Sequence, residues 1–348
     1  MAAYIVDVAR EAGVSVATVS RVLAGADYPV KEETRQRVLA AAERLKYQPN
    51  LLARSLRLGR SNSIGVCATT FNNPTWVSTL EGIMLACRAV NRQVQTVTTF
   101  SDPAEEESYM DLFLQERVAG VISYSSGAPV EAYEQIQRTG APVVVVNRPV
   151  PGLRAPLVEH DFPGGFARAI HYFTERGHRR IGAVLPFRSA YWGGHEANWN
   201  GAFERLGLEP LPHLVRHIDA TLQTDVIHGV VSELLALPEP PTALYAAGAM
   251  STLVALRLIR LADSPAVRAI DLVGTGDRRW ELLYPPSLPF VCLDSHRLGT
   301  VAADILNDLI DGKGDVYSNA VTQIAVGFVD ATHPPMHPTD ALMERRTS

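Results

Sequence analysis

GVSVATVSRVLAG, Gly13 to Gly25, sets small and β-branched residues where the flanking pattern reads as helix, a setting in which Val and Thr are mediocre choices. Ser15 is a good N-cap. Beyond it Val19, Val22 and Leu23 fall on one helical face, which leaves Val16, Ala17, Ser20 and Arg21 on the other. Upstream, Ile5, Val8, Ala9 and Ala12 share one face of a short helix ending at Gly13, where a tight turn needs glycine's backbone freedom. Downstream, Glu32 to Leu45 reads as a third helix burying Val38, Leu39, Ala42 and Leu45. Three helices of this size can hold a helix-turn-helix. The outward face of the middle helix is small at its start and offers one long donor, Arg21, a shape that clears the major groove of double-stranded DNA; Val16 and Ala17 are suited to meet thymine methyl groups. The alternative is a helical hairpin that only packs on the rest of the chain.

Charge is distributed in keeping with a nucleic-acid partner for this segment. The 348 residues are 47% hydrophobic with a net charge of −5, enough apolar material for more than one core. Residues 1–60 carry ten Lys and Arg against six Asp and Glu, a charge of +4, and the remainder carries −9. A small basic module on an acidic body suggests that a polyanion is met by the N-terminal part alone. Asp7 and Glu11 interrupt any signal-peptide core, and no stretch of about twenty apolar residues follows, so a cytoplasmic protein without a membrane partner is expected. Cys67, Cys87 and Cys292 are far apart, with no CxxC or Cys/His ligand spacing, and read as core thiols rather than metal ligands. GHEAN lacks the second His of a zinc-protease motif, GTGD lacks a phosphate-loop lysine, and no nucleophile elbow occurs. Catalysis and a bound cofactor are therefore not expected.

The run VDVAREAGVSVATVSRVLAG, followed by TRQRVLAAAERLKYQPNLLARSL, resembles the DNA-binding headpiece of the LacI/GalR (lactose/galactose repressor) family, almost without gaps from Ile5 to Leu58. The resemblance implies base reading by Val16, Ala17 and Arg21. It implies backbone contacts from Ser15, Thr18, Ser20, Lys31, Thr34, Tyr47 and Asn50, which fix register without reading sequence. PNLLARSLRLGRS, Pro49 to Ser61, resembles the family's hinge helix, with Arg54, Arg57 and Arg60 adding positive charge near the duplex. Leu56 falls on the family's wedge position, where an apolar side chain pushed into the minor groove unstacks and kinks a flexible step. An ordinary linker with exposed leucines is the alternative there.

From Ser63 onward, apolar runs alternate with helical patterns: SIGVCATT, QVQTVTTF, GVISYSS, APVVVVN, LVEHD, RRIGAVLP, TALYAAG and AIDLVGTG. This rhythm predicts two parallel-sheet α/β halves. Their order resembles the family's type I periplasmic-binding-protein-like core, which implies discontinuous lobes, about 62–160 with 293–321 and about 161–292 with 322–333. The headpiece then spans 1–48, the linker 49–61 and a tail 334–348, whose lack of leucine heptads excludes a tetramerising coiled coil like the lactose repressor's.

Ligands of open α/β sheets bind beyond the carboxyl ends of the strands, here across an interlobe cleft. TTFNNPTW matches the family's asparagine-proline-aromatic turn, making Asn72, Asn73 and Trp76 candidates for effector binding, although Trp76 packing on its own lobe is the bland reading. Tyr124 and Asn147 end two further strands, and the neighbouring Arg148 reads as structural. In YWGGHEANWNGAF the family's usual arginine is replaced by Asn198, and in VGTGDRRW Gly276 stands where relatives carry a binding aspartate, leaving Asp277 next door. Tyr191, Trp192 and His195 are candidates to compensate, or else belong to the core. The expectation is a homodimeric repressor on a pseudopalindromic operator, controlled by a sugar-like or aromatic, planar small molecule. A regulator with a degraded pocket answering to a protein partner, and a solute-binding receptor, are the rival readings.

Overall fold

The computed structural model describes residues 4–23, 30–47, 61–186, 194–218, 223–279, 285 and 287–330. Contacts divide the chain into two units, Met1–Ser61 and Asn62–Ser348. In the first, α1 (Ile5–Ala12), α2 (Val16–Leu23) and α3 (Glu32–Arg44) surround a small core of Val8, Ala9, Ala12, Val19, Val22, Val38 and Ala41. Leu39, expected in that core, is 44% exposed. A helix turns 100° per residue, so the face that buries Val38 continues through Ala41, Ala42 and Leu45 and carries Leu39 outward.

The second unit is built on two six-stranded sheets. The first lobe runs β1 (Ser63–Ala68), α4 (Pro74–Ala89), β2 (Gln93–Thr98), α5 (Pro103–Gln115), β3 (Gly120–Ser123), α6 (Val130–Arg138), β4 (Val143–Val146) and β5 (Leu157–His160). The second follows with α7 (Phe162–Glu175), β6 (Ile181–Pro186), α8 (Gly194–Arg205), β7 (Val215–Ile218), α9 (Thr224–Leu235), β8 (Ala243–Ala246), α10 (Ala249–Leu261), the short α11 (Pro265–Arg268), β9 (Asp271–Asp277) and β10 (Phe290–Leu293). The chain then returns to the first lobe as α12 (Ser295–Ile310) and β11 (Val321–Ile324), and ends the described fold with β12 (Gly327–Val329) in the second. The strand orders are β11-β5-β4-β3-β1-β2 and β12-β10-β9-β8-β6-β7, every pair parallel except β10 with β12. The third crossing falls between Ile324 and Gly327, beyond the residue 321 expected from the sequence, because Val321 to Ile324 pair with Leu157 to His160 in the first sheet.

Strands such as SIGVCA and VVVV are buried along their whole length, as parallel strands covered on both faces must be. Ile64, Val66, Ile122, Val144 and Val146 meet α4 and α12 on one face of the first sheet; Cys67, Val121, Val143 and Val145 meet α5 and α6 on the other. Burial holds the Cys67 thiol well above its ordinary range and raises that of Cys87 to about 11, which keeps both unreactive. Gly82 of α4 and Gly299 of α12 let those helices touch main chain to main chain: a Cβ at Gly82 would lie 2.2 Å from the His296 carbonyl oxygen, and one at Gly299 1.9 Å from that of Thr79. Among the described residues no helix is long and apolar enough to cross a membrane.

Several strands leave their sheet into a helix opened by an acceptor side chain. Asn73 Oδ1 accepts from the Thr75 amide at 3.1 Å, Asp161 Oδ1 from Gly164 at 2.9 Å and Asp294 Oδ1 from Arg297 at 3.1 Å. Each cap satisfies an otherwise orphaned N–H and stops the preceding strand, fixing where the first helical turn begins. These turns, and the strand ends before them, form the edge of the interlobe cleft.

Candidate functional site

Two surfaces carry the candidate residues, one in each unit. In the first, Gly13 adopts φ +63°, so the chain leaves α1 and enters α2 within three residues. Arg37 of α3 clamps the turn, its Nη2 donating to the Ala12 carbonyl at 2.6 Å. Ser15 Oγ accepts from the Thr18 amide at 3.1 Å and lies 2.9 Å from Thr18 Oγ1, capping α2 as its sequence implies. With Val19 and Val22 buried, Val16, Ala17 and Arg21 are exposed on the opposite face, and Ser20 and Thr18 flank them half-buried. Lys31 is exposed just before α3, Thr34 is half-buried in its first turn, and Tyr47 packs against the small core. Asn50, Arg54, Leu56 and Arg57 lie outside the described residues.

In the second unit a cavity of about 690 Å³, mouth included, opens between the lobes. Its first-lobe wall is Trp76 of α4, with Tyr124 and Asn147 from the ends of β3 and β4. Trp76 and Tyr124 meet edge to face at 5.7 Å, and the Arg148 guanidinium lies 4.8 Å from the Tyr124 ring centre while donating to the Ser125 carbonyl at 2.9 Å. The loop after Tyr124 is fixed by the buried Glu106 carboxylate, which accepts from Ser123 Oγ at 2.8 Å and from the Ser126 and Ala128 amides at 2.7 and 3.0 Å. Asn147 adopts φ +56°, a conformation asparagine tolerates, and its Oδ1 accepts from the His160 amide at 3.0 Å.

The second-lobe wall is aromatic. His195 of α8 meets Phe162 and Phe166 of α7 at 4.6 and 5.6 Å, and Tyr245 at the end of β8 meets Phe166 at 5.4 Å. The Tyr245 hydroxyl is held by Thr275 Oγ1 at 2.6 Å, and its ring stacks on Trp199. At the crossings, His160, Leu293 and Ser295 close the back of the cavity. Burial lowers the His160 pKa to about 4, partly offset by the nearby Asp294 main chain and carboxylate. Burial, with Arg148 and His217 adding to it, lowers that of His195 to about 3. Both imidazoles are therefore neutral near pH 7. Among the described residues no Asp, Glu, Lys or Arg lines the cavity, and no cluster of three or more His, Cys, Asp or Glu side chains has the disposition to hold a metal.

Residues 4–50 match the bacterial regulatory proteins of the lacI family, and residues 170–326 match a periplasmic binding protein-like domain. The lacI-family match falls on the three-helix unit and the binding-protein match on the two-sheet unit. The chain is 28% identical over 352 aligned positions to the HTH-type transcriptional repressor PurR of Pectobacterium carotovorum subsp. carotovorum (strain PC1), across 99% of this chain and 96% of the relative. It is also 28% identical to PurR of Edwardsiella ictaluri (strain 93-146), across 89% and 91%. Among solved structures, the transcriptional regulator CelR in complex with cellobiose aligns with TM-score 0.67 and 25% identity over 94% of this chain and 98% of that one. The Lac repressor dimer bound to operator and the anti-inducer ONPF shares the fold, with TM-score 0.80 and 23% identity over 96% and 100%.

Of the residues singled out in the sequence, Asn73, Trp76, Tyr124, Asn147 and His195 line the cavity. Asn72 is exposed and Asn198 half-buried, and neither lines it. Tyr191 and Trp192 lie outside the described residues. Asp277 does not line the cavity either. It is buried, accepts from Ser78 Oγ of α4 at 3.0 Å, from the Ser295 amide at 3.1 Å and from the Arg279 amide at 3.0 Å, and so joins the end of β9 to the first lobe. Arg279 pairs with Glu81 of α4 beside it. The sequence reading overlooked His160, Phe162, Phe166, Tyr245, Thr275 and Ser295. All stand at or near the carboxyl ends of strands, in the next helical turn, or one turn further on, and applying that rule to every strand would have found most of them.

Proposed function

We propose that this chain is a sequence-specific transcriptional repressor whose grip on operator DNA is set by a small molecule bound between its lobes. The observation that carries the reading is the pairing, in one chain, of a Ser15-capped helix presenting Val16, Ala17 and Arg21 with an interlobe cavity lined by convergent polar and aromatic groups. In this reading Val16, Ala17 and Arg21 contact base edges. Ser15, Thr18, Ser20, Lys31, Thr34, Tyr47 and Asn50, with Arg54 and Arg57, hold phosphates, and Leu56 wedges the minor groove. Ser15 and Thr18 do this while also capping α2, since a hydroxyl has spare hydrogen-bonding capacity.

The protein acts in the cytoplasm as a homodimer on a pseudopalindrome, two-fold protein on two-fold DNA. An effector with different affinity for the DNA-competent and DNA-incompetent states shifts the balance between them. The relatives are named as repressors, which supports a regulator rather than an enzyme. A pocket surrendered to a protein partner is the weaker reading, because the cavity lining combines Asn73, Asn147 and threonine side chains with aromatic rings, the mix of a small-molecule site. The test is selection of operator sequences from random duplex DNA by the full chain, followed by footprinting. Enrichment of a pseudopalindrome protected on both half-sites is expected. Binding with no enriched sequence would sink the regulator reading.

A further inference from the structure

Only three residues separate α1 from α2, so the placement of the base-reading face depends on how that turn is held. The inference rests on the reading of α2 as the helix that enters operator DNA. A helix leaves its last four carbonyls without intrahelical partners, and here the turn serves two of them itself. The Val14 amide donates to the Ala9 carbonyl at 3.0 Å and the Gly13 amide to that of Arg10 at 3.2 Å. The Ala12 carbonyl is served from another helix: Arg37 of α3 donates to it from both Nε and Nη2, at 3.2 and 2.6 Å, and Nη2 also reaches the Gly13 carbonyl at 3.4 Å.

Two arginines of α3 reach α1, and their bonds differ in kind. Arg44 Nη2 lies 3.1 Å from Glu11 Oε1, but the two side chains are 65% and 47% exposed, and such a pair gains little over the water it displaces. Arg37 binds main chain instead. The carbonyl it holds belongs to Ala12, which is buried and stands at the negative end of α1, where a cation is favoured; a main-chain oxygen, moreover, has no rotamers to give up. Beyond Gly13, Val14 packs against the small core and Ser15 caps α2, so no loose residue separates the clamped turn from Val16 and Ala17.

We propose that Arg37 is a positioning residue for base reading: it fixes the turn that aims α2, and so supplies operator specificity without itself meeting a base. Hydrogen bonds and methyl contacts to base edges are short-ranged and directional, whereas attraction to the phosphates acts over about a Debye length. A turn that drifts therefore costs recognition of the operator and leaves binding to unrelated duplex nearly as it was.

The test compares the full chain with its Arg37→Ala, Arg37→Lys and Arg44→Ala variants on the selected operator and on unrelated duplex of equal length, each titrated at several salt concentrations. Arg37→Ala and Arg44→Ala remove the same charge from the same helix, so the difference between them isolates the clamp. Arg37→Ala should weaken operator binding about five- to tenfold, toward the low end of what a hydrogen bond to a charged group supplies, with its affinity for unrelated duplex and its salt slope matching those of Arg44→Ala. Arg44→Ala should lose about twofold or less on the operator, and Arg37→Lys, which keeps a donor, should recover part of the Arg37→Ala loss. Should Arg37→Ala unfold the first unit, seen as lost helical circular dichroism, the comparison passes to Arg37→Lys. Equal losses on both duplexes by a folded variant would make Arg37 a general support of the unit, and a salt slope shallower than that of Arg44→Ala by about 0.9 per protomer would make it a phosphate contact. Either result overturns the proposal, as does unchanged operator affinity. An unaltered chain that prefers no duplex would remove the DNA reading and this inference with it.

Discussion

Replacing Arg21 with alanine removes the long donor from the exposed face of α2 while leaving Val19 and Val22 in the core. A good bidentate base contact discriminates by about 1–3 kcal/mol, so operator affinity should fall about ten- to a hundredfold while affinity for unrelated duplex falls far less. Titrations of both at one fixed salt concentration check this; equal losses would make Arg21 a backbone contact. His160 and His195 give a second prediction. Their pKa values lie near 4 and 3 in the folded chain, against about 6.5 unfolded. Below pH 6.5 the unfolded chain therefore binds protons that the folded chain refuses, and stability falls by up to about 1.4 kcal/mol per pH unit for each histidine. Urea midpoints at pH 7, 5.5 and 4.5 should descend, and the descent should be shallower in His195→Gln. At this scale the site was only partly legible. Trp76, Tyr124 and Asn147 end recognisable strand-to-helix runs, whereas Phe166 reads as the apolar face of an amphipathic helix and Tyr245 as one more strand residue. A core position and a cavity wall have the same periodicity.

The α4–α12 crossing is set by two glycines. Either Gly82→Ala or Gly299→Ala inserts a methyl group against a main-chain oxygen of the other helix. Backbone cannot swing away as a side chain can, so the helices must separate and loosen the core around Ile83, Leu298 and Ala302. Overpacking of this kind costs about 1–3 kcal/mol or more. Thermal unfolding should show each single variant destabilised and the double variant short of additive, since the first separation already makes room for the second methyl group. Most strands were readable beforehand from their apolar rhythm, whereas the helix starts capped by Asn73, Asp161 and Asp294 came only with the structure. The end of β11 was not readable either, because VTQI is a short, half-exposed edge strand whose place is fixed by pairing with Leu157 to His160. Leu39 was misplaced for a simpler reason: hydrophobicity was followed one residue past the face that geometry allows.

Across the second unit, Asp277 ties the end of β9 to Ser78 of α4 and to the start of α12. A hydrogen bond to a charged group is worth about 1.5–3 kcal/mol. Ser78→Ala should therefore shift the balance between closed and open lobes about tenfold or more toward open, read as a larger radius of gyration in solution scattering and a weaker apparent affinity for any ligand that needs both walls. Unchanged scattering and affinity would mean that the lobes are held elsewhere, for instance by Glu81 and Arg279.

The first sheet is closed by residues made late. β5 ends at His160, yet the second of the two helices that cover one face of that sheet starts at Ser295, and the edge strand β11 ends at Ile324. A ribosome adding about 5–20 residues per second needs on the order of ten to thirty seconds to travel from 160 to 324. Throughout that interval Ile64, Val66, Ile122 and Val144 wait without Leu298, Ala302 and Leu306, while the chain that forms most of the second lobe emerges between. Part of that sheet's apolar face therefore stays uncovered until synthesis is nearly done, and a chain cut before Ser295 is expected to aggregate where the full chain stays in solution, read by the soluble fraction of each after expression.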